Sequence, residues 1–247
     1  MSTTGTDDES IEVWSTNAFQ AILRSLAPDF ERASARRLSI AYRSSAMIME
    51  AIAQGGRADA VIATRCALDA LAEQGIVAAR GMRNLASTGV GVAVRAGARK
   101  PDIGSADALR RALLEAKSVA YSATGMSAVH FMQIIERLGI AEPVKAKAIV
   151  HAGGLVGEVI ARDDAELGVQ MVSELLAVAG VELVGPLPPE LQTPTMFAGG
   201  VFAGARHAQA ALALIELLAQ PEAARLYSAN GMEPAYSRPG LQGATPA

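Results

Sequence analysis

Short apolar strands alternate with amphipathic helices in this chain, and hydroxyl side chains fill several of the turns between them. The clearest example is VAYSATGMSAVHFMQIIERLG, where a strand is followed by the polar loop Ser122–Ser127 and by a helix that ends before Gly139. Similar turns occur at Ser15-Thr16 and at Ser44-Ser45. Alternation at this spacing predicts an α/β fold with largely parallel sheets.

Hydroxyl side chains just before a helix are suited to binding an anion. The first backbone N–H groups of a helix lack partners within the helix and lie at the positive end of its dipole, and serine or threonine adds a donor without bulk. In an open parallel sheet, ligands bind outside the carboxyl ends of the strands. Three converging turns therefore predict an anion site. For Ser127 the alternative is that it only caps the helix of the longest motif.

Charge and composition exclude several classes of function. The 247 residues carry a formal net charge of −3, and lysine and arginine are scattered, so no nucleic-acid partner is predicted. Cys66 is the single cysteine and cannot form an internal disulfide or a cysteine cluster, and we expect it to be buried as a small apolar side chain. The three histidines lack the spacing of metal ligands, so we predict no metal and no other cofactor.

The N-terminal sequence bears on where the protein is located. The stretch MSTTGTDDESIEVW is acidic and polar, and it has neither the basic segment nor the apolar segment of a secretory signal. No apolar run approaches the length needed to cross a membrane. We therefore expect a cytoplasmic protein, or a periplasmic one if the start of the chain is misassigned.

Five segments, in their order along the chain, resemble the type II periplasmic-binding-protein fold in its molybdate-binding-protein branch. They are STNAFQAILRSLAPDFE, SSAMIMEAIAQGGRADAVIA, AYSATGMSAVHFMQIIERLG, GVQMVSELLAVAGVELVGPLPPELQ and LAQPEAARLYSANGMEP. The resemblance implies two lobes, each a mainly parallel sheet flanked by helices, joined by two crossover strands, with the ligand in a cleft between them. Lobe I would comprise residues 1–87 plus 176–247, and lobe II residues 88–175.

The resemblance also implies how a ligand is bound. In molybdate-binding proteins, hydroxyl and backbone N–H groups from the turns hold the oxyanion, and the matching positions here are Ser15, Thr16, Ser45, Ser127 and Gly153. Where those proteins carry a tyrosine at the second crossing, this chain has Gln170-Met171, and its first loop is shorter. Both departures point away from molybdate. Aconitate-isomerase-like members of the fold resemble solute receptors, but they move a proton and a double bond within a tricarboxylate.

Residues at these turns and strand ends are the predicted ligand-binding set. Arg43 lies in the second hydroxyl turn, where a guanidinium could bind a carboxylate through two parallel hydrogen bonds. The alternative is a surface arginine beside an acidic neighbour. The full predicted set is Ser15, Thr16, Arg43, Ser44, Ser45, Tyr121, Ser122, Thr124, Ser127, Gly153 and Gln170.

His151 and Glu174 are the predicted catalytic residues. A histidine titrates near neutral pH and can carry a proton, and burial raises the pKa of a carboxyl into the same range. His130 and Glu158 are weaker candidates of the same two kinds. The alternatives are a structural histidine and a carboxylate on a solvated helix face.

Two functions remain open on this evidence. The first is a cofactor-free isomerase, similar to aconitate isomerase, that binds a small unsaturated di- or tricarboxylate and shifts a proton and a double bond. The second is a solute-binding protein of the ABC-transporter type for a molybdate-like oxyanion or an organic acid, with a transporter permease as partner if it is exported. Either way, the partner is a small anionic ligand, and the missing secretion signal favours the isomerase.

Overall fold

The computed structural model describes residues 10–237, which divide into two compact units. Of the described residues, unit 1 contains 10–86, Met196–Ser228 and 233–237. Unit 2 contains Ser87–Thr195 and Ala229–Met232. The predicted lobes differ from these units mainly at residues 176–195, which lie in unit 2.

The described residues form a strand-rich chain with helices in nearly every connection. The strands are β1 (Ser10–Thr16), β2 (Arg37–Arg43), β3 (Ala60–Thr64), β4 (Arg83–Thr88), β5 (Val90–Arg95), β6 (Val119–Ser122), β7 (Ala148–His151), β8 (Leu167–Met171), β9 (Val181–Pro186), β10 (Thr195–Val201) and β11 (Glu233–Pro234). The helices are α1 (Gln20–Ser34), α2 (Ser45–Ala53), α3 (Arg65–Glu73), α4 (Ala106–Glu115), α5 (Met126–Arg137), α6 (Ala141–Lys145), α7 (Val156–Ala161), α8 (Val172–Leu176), α9 (Ala208–Leu218) and α10 (Ala224–Ala229).

The first sheet has the strand order β11-β4-β10-β3-β1-β2. Strand β1 pairs in parallel with both β2 and β3, and β10 pairs antiparallel with β3. Helices α2 and α3 pack an apolar cluster against one face, with Ile48 and Ile52 from α2 and Leu68 and Leu71 from α3. Because β1, β2 and β3 run the same way, their carboxyl ends lie at one edge, where α2 and α3 begin.

The second sheet lies in unit 2 and has the order β7-β6-β8-β5-β9. Strands β7, β6 and β8 are parallel, and β5 is antiparallel to β8 and β9. Helices α4 and α5 share a large apolar cluster with one face of this sheet, and α7 packs on the other face. The pairing of β9 with β5 explains why the segment after residue 175 belongs to unit 2.

The α/β fold class with two sheets flanked by helices is confirmed, but two local predictions are wrong. The sequence from Lys145 to Val150 predicts a strand, but β7 starts only at Ala148, because α6 precedes it and buries Ala141 and Val144. Cys66 is exposed, since the buried face of α3 is formed by Leu68 and Leu71.

Membrane insertion through a helix is not supported within the described part of the chain. None of the helices between residues 10 and 237 is both long and apolar enough to cross a bilayer.

Gly168 provides a test of how tightly α7 packs on the unit 2 sheet. A Cβ atom at this β8 position would lie 2.7 Å from Cγ1 of Ile160. We expect Gly168→Ala to lower the free energy of unfolding by about 1–3 kcal/mol, because the Ile160 side chain of α7 must shift to make room for the methyl group. Urea denaturation measures the loss. The control is Gly185→Ala in β9, where the added methyl group meets Cδ1 of Ile103 at an ordinary 3.6 Å. Equal losses in both variants would contradict the packing argument.

Candidate functional site

The carboxyl ends of β1, β2 and β3 bring five of the predicted residues together in unit 1. We call this region, comprising Ser15, Thr16, Arg43, Ser44 and Ser45, the unit 1 edge. Thr16 and Arg43 are direct partners in the β1–β2 register, so their Cα atoms face each other at the last rung of the ladder. The hydroxyl turns predicted from sequence are therefore neighbours in space at this edge.

Thr16 and Arg43 both have polar groups that the protein itself leaves unused. The Thr16 hydroxyl is buried and has no hydrogen-bond partner among residues 10–237. The Arg43 guanidinium lies over the Trp14 ring, with Cζ 5.4 Å from the ring centroid, and it takes part in none of the ion pairs formed by the described residues. A buried hydroxyl without a partner is costly, so an external hydrogen-bonding group at this position would stabilise it.

The three serines of the unit 1 edge already take part in local hydrogen bonds. Ser15 donates to the carbonyl oxygen of Thr16 at 3.1 Å. Ser44 is the N-cap of α2 and accepts the backbone N–H of Met47 at 3.2 Å. Ser45 accepts the backbone N–H of Thr64 at 3.2 Å and keeps its own hydrogen as a possible donor.

In unit 2, the carboxyl ends of β6, β7 and β8 form the equivalent edge. Ser122 and His151 are register partners at the last rung between β6 and β7. The backbone N–H of Ala123 donates to the carbonyl oxygen of His151 at 2.8 Å, which joins the loop after β6 to the end of β7. We call this region the unit 2 edge, and its predicted members are Ser122, Thr124, Ser127, His151, Gly153, Gln170 and Glu174.

The loop between β6 and α5 is closed by its own polar groups. The Ser122 hydroxyl donates to the carbonyl oxygen of Thr124 at 2.8 Å and accepts the Thr124 backbone N–H at 3.4 Å. The N-cap of α5 is Gly125, whose φ of 95° is a left-handed conformation that suits glycine. Ser127 is buried in the first turn of the helix, so the alternative that it serves as the N-cap is wrong.

Gln170 holds the loop that follows β7. Its side chain is buried at 2% exposure, its Oε1 accepts the backbone N–H of Val156 at 2.7 Å, and its Nε2 donates to the carbonyl oxygen of Gly154 at 3.1 Å. The carboxamide therefore fixes both the loop and the start of α7. The structure places Gln170 on the protein backbone, and these two contacts explain its burial without a ligand.

His151 and Gly153 lie on either side of the point where the loop leaves β7. The His151 Nε2 atom is buried and has no hydrogen-bond partner within the described part of the chain. A Cβ atom on Gly154 would lie 3.5 Å from this nitrogen, so the loop passes close to the imidazole. Gly153 itself is exposed, with open space around its Cα. His130 lies in α5, and burial lowers its pKa.

Glu174 is the group in unit 2 with the most unusual proton affinity. Its carboxyl is 8% exposed, and burial raises its pKa to about 8, against a smaller lowering effect of the Met171 backbone N–H that donates to Oε2 at 3.4 Å. The preceding Ser173 has a buried hydroxyl that has no partner among the residues described. Both residues lie in the first turn of α8, directly after the carboxyl end of β8.

Tyr121 is placed in the apolar core rather than among these polar groups. Its ring lies 5.2 Å from the Phe131 ring, measured between centroids, within the cluster that α4 and α5 share with the sheet. This packing accounts for its burial. Strand alternation explains the difference, because Tyr121 and Ser122 are consecutive residues of β6 and point to opposite faces.

A cavity in unit 2 lies apart from the predicted residues, and the described residues contain no group of metal ligands. Between residues 10 and 237, no three or more His, Cys, Asp or Glu side chains are grouped as metal ligands. A cavity of about 390 Å³ in unit 2 is lined by one face of α4 and by Glu166 and Leu167. Leu167 is the first residue of β8, so this cavity lies at the other end of the strand and contains none of the predicted residues.

Sequence reasoning missed two residues of these edges. The Trp14 ring lies against the Arg43 guanidinium. Its only signal in the sequence was its position two residues before Thr16, which places both side chains on the same face of β1. Ser173 has a hydroxyl without a partner in the described chain, and its signal was its place between the end of β8 and Glu174.

Two α/β units whose parallel strands end in hydroxyl side chains are typical of the type II periplasmic-binding-protein fold. The chain belongs to the bacterial extracellular solute-binding protein family, whose family model matches residues 11–233. It is 35% identical over 236 residues to the aconitate isomerase of a Pseudomonas species, and the matched region covers 93% of this chain and 90% of that protein. The family predicted from the sequence is thereby confirmed.

Solved structures agree with this assignment of the fold. The periplasmic molybdate-binding protein of Azotobacter vinelandii has a TM-score of 0.76 at 17% identity, covering 90% of this chain and 98% of that one. The L-phospholactate-bound form of PEB3, a Campylobacter jejuni protein, has a TM-score of 0.65 at 11% identity, covering 90% and 99%. At these identities the likeness shows the fold.

Replacing Gln170 tests its hold on the loop. We expect Gln170→Leu to lower the free energy of unfolding by about 2–4 kcal/mol, because the Val156 N–H and the Gly154 carbonyl lose their buried partner. Urea denaturation measures the loss. The matched control is Gln133→Leu on the exposed side of α5, which should change stability by less than about 0.5 kcal/mol. A Gln170 variant as stable as the control would show that the loop does not depend on the carboxamide.

Glu174 should make stability depend on pH in a direction unusual for a carboxyl. Its pKa rises from an ordinary 4.5 to about 8 in the folded protein, so between these values the folded state keeps a proton that the unfolded state has lost. Stability should therefore fall with rising pH across this window, by at most about 1.4 kcal/mol per pH unit, relative to Glu174→Gln.

Urea denaturation from pH 4 to pH 9 gives the difference curve between the native protein and Glu174→Gln. Above about pH 8 the difference should become constant, because both states are then ionised. Glu158→Gln, which changes an exposed carboxyl of α7, is the control and should follow the native curve. A flat difference for Glu174→Gln would mean that its carboxyl is ionised in the fold.

Proposed function

We propose that this protein is an isomerase that binds a small unsaturated di- or tricarboxylate and shifts a proton and a double bond within it. The observation that carries the proposal is Glu174, a buried carboxyl whose pKa is raised to about 8 at the unit 2 edge. Such a group can take up and return a proton near neutral pH.

The similarity to aconitate isomerase supports the same reaction class. The 35% identity extends over 93% of this chain. Because the similarity is to the whole of a related chain rather than to one motif, the proposal takes its substrate class from that protein. An unsaturated tricarboxylate such as aconitate is the first compound to test.

The chemistry needs no oxidant and no net proton. A base removes a proton from the methylene carbon next to the double bond, and the electron pair spreads over the three carbons and the adjacent carboxylate. A proton then returns to the carbon at the far end, so one C–H bond breaks, one forms, and the double bond moves by one position. In this proposal the ionised form of Glu174 accepts the proton, and the imidazole of His151 is the second proton-transfer group.

The carboxylates of the substrate require fixed cationic and hydrogen-bonding groups. Arg43 offers a guanidinium without an acidic partner among the described residues. Thr16 offers a buried hydroxyl that has no hydrogen-bond partner among the same residues. Ser45 is proposed as a further donor at the unit 1 edge, and Ser127 and the Gly153 backbone as donors at the unit 2 edge.

A solute-binding protein is the second candidate, and the family favours it. The matched family is named for extracellular solute binding, and the named ligands of the similar structures are molybdate and L-phospholactate, both small anions. This function would need a transporter permease as partner and a location outside the cytoplasmic membrane. Both requirements stay predictions. The cytoplasmic location that the isomerase would allow also stays a prediction.

The isomerase proposal is tested by following purified protein with cis- and trans-aconitate by proton NMR. We expect interconversion of the two, and we expect Glu174→Gln and His151→Asn each to lower kcat by about 10²–10⁴-fold. Glu158→Gln is the matched carboxyl control and should keep the native rate. No turnover of either isomer, or of related unsaturated acids, would remove the proposal.

The pH dependence of the rate identifies the base. If ionised Glu174 accepts the proton, kcat/KM should rise about tenfold per pH unit below pH 8 and level off above it, because only the deprotonated form acts. A rate independent of pH between 6 and 9 would exclude Glu174 from this role.

Thermal-shift measurements separate the two functions. The isomerase should be stabilised by carboxylates, since a ligand that binds only the folded state raises the melting temperature. A large shift with molybdate or tungstate and none with carboxylates would favour the solute-binding protein.

A further inference from the structure

The structure assigns to Trp14 the role of positioning Arg43 as a carboxylate-binding group. The inference rests on the proposed function, because it takes a carboxylate as the ligand of the unit 1 edge. It adds a residue that no motif had singled out. Trp14 would act through Arg43 rather than by touching the ligand itself.

The strand register explains why these two side chains meet. Trp14 is paired with Ala41, and Thr16 is paired with Arg43. Arg43 lies two residues beyond Ala41, so it is the diagonal neighbour of Trp14 on the same face of the parallel pair. Diagonal neighbours of this kind are within reach of aromatic and long side chains. The resulting stack places the guanidinium carbon 5.4 Å from the ring centroid, within the range of an attractive cation–π contact.

The Trp14 ring is itself held in place from two sides. Its edge meets the Phe202 ring at 82°, with 5.9 Å between the centroids. Gly56 approaches so closely that a Cβ atom there would lie 2.6 Å from Cη2 of the indole. A fixed ring is a good support for a flexible arginine, because less side-chain freedom is then lost when the guanidinium binds a ligand.

Stacking fixes the guanidinium while leaving its hydrogen-bond donors available. Some other arginines of unit 1 are held by acids, as Arg65 is by Asp69 at 2.7 Å and Arg32 by Asp29 at 2.6 Å. Those contacts occupy N–H groups, whereas the face of an aromatic ring occupies none. Arg43 therefore keeps its planar fork, the geometry that matches a carboxylate, available for a ligand. Its register partner is Thr16, whose hydroxyl has no partner in the described chain.

The test measures binding of tricarballylate, a saturated tricarboxylate that cannot isomerise, by calorimetry. We expect Arg43→Met to weaken binding at least tenfold, Trp14→Leu to weaken it about fivefold, and Trp14→Phe to retain most of the affinity because a ring face remains. Arg37→Met is the matched control. It removes the same charge from the exposed amino end of the same strand, β2, and should leave the affinity unchanged.

A double-mutant cycle separates positioning from a general effect on the fold. If Trp14 acts through Arg43, Trp14→Leu should cause no further loss in the Arg43→Met background. Because Trp14 is the only tryptophan, its fluorescence reports on the stack directly, and Arg43→Met should change its emission whereas Arg37→Met should not.

The outcomes are distinct from those that test the isomerase. Tricarballylate binding with a non-additive cycle, but without turnover of aconitate, would remove the isomerase proposal and support this inference. A cycle in which the two losses add, or unchanged emission in Arg43→Met, would overturn the inference alone. Failure of the native protein to bind tricarballylate would overturn it together with the carboxylate as ligand.

Discussion

Parallel strand pairing decides which residues of this protein can act together. In each unit, three adjacent strands run in the same direction, so their carboxyl ends and the helices that follow meet at one edge. Residues far apart in sequence, such as Thr16 and Arg43, become partners only because their strands pair in this register. Backbone hydrogen bonds between strands therefore fix the positions of the polar groups before any side-chain contact contributes.

The backbone of the unit 2 edge depends on a buried amide rather than on a charge. Gln170 satisfies one N–H and one carbonyl of the loop after β7, and a neutral carboxamide does this without the desolvation cost of an ion. The loop can then remain exposed at Gly153 while its ends stay fixed. A rigid frame with an open loop is the arrangement in which a small anion can enter and be held.

The fold and the chemistry of the strand ends could be predicted from the sequence, whereas most individual contacts could not. Alternating apolar strands and hydroxyl turns placed Ser15-Thr16 and Ser44-Ser45 correctly at strand ends, because those signals are local. The partners of Gln170 lie 14 and 16 residues away, and the Trp14–Arg43 stack depends on strand register. Helix α6 was missed because five residues with Pro143 inside them give little periodicity.

Burial of Glu174 reconciles anion binding with proton transfer. An ionised carboxylate close to a di- or tricarboxylate would repel it, and the repulsion would be strong where water is excluded. Because burial raises the pKa to about 8, the group is mainly neutral at pH 7, so an anionic ligand can approach it without that penalty. The pKa is still close enough to neutrality for the minor ionised form to accept a proton. In this fold, the burial that costs stability at high pH is therefore the property that would allow a solute-binding architecture to support an isomerase.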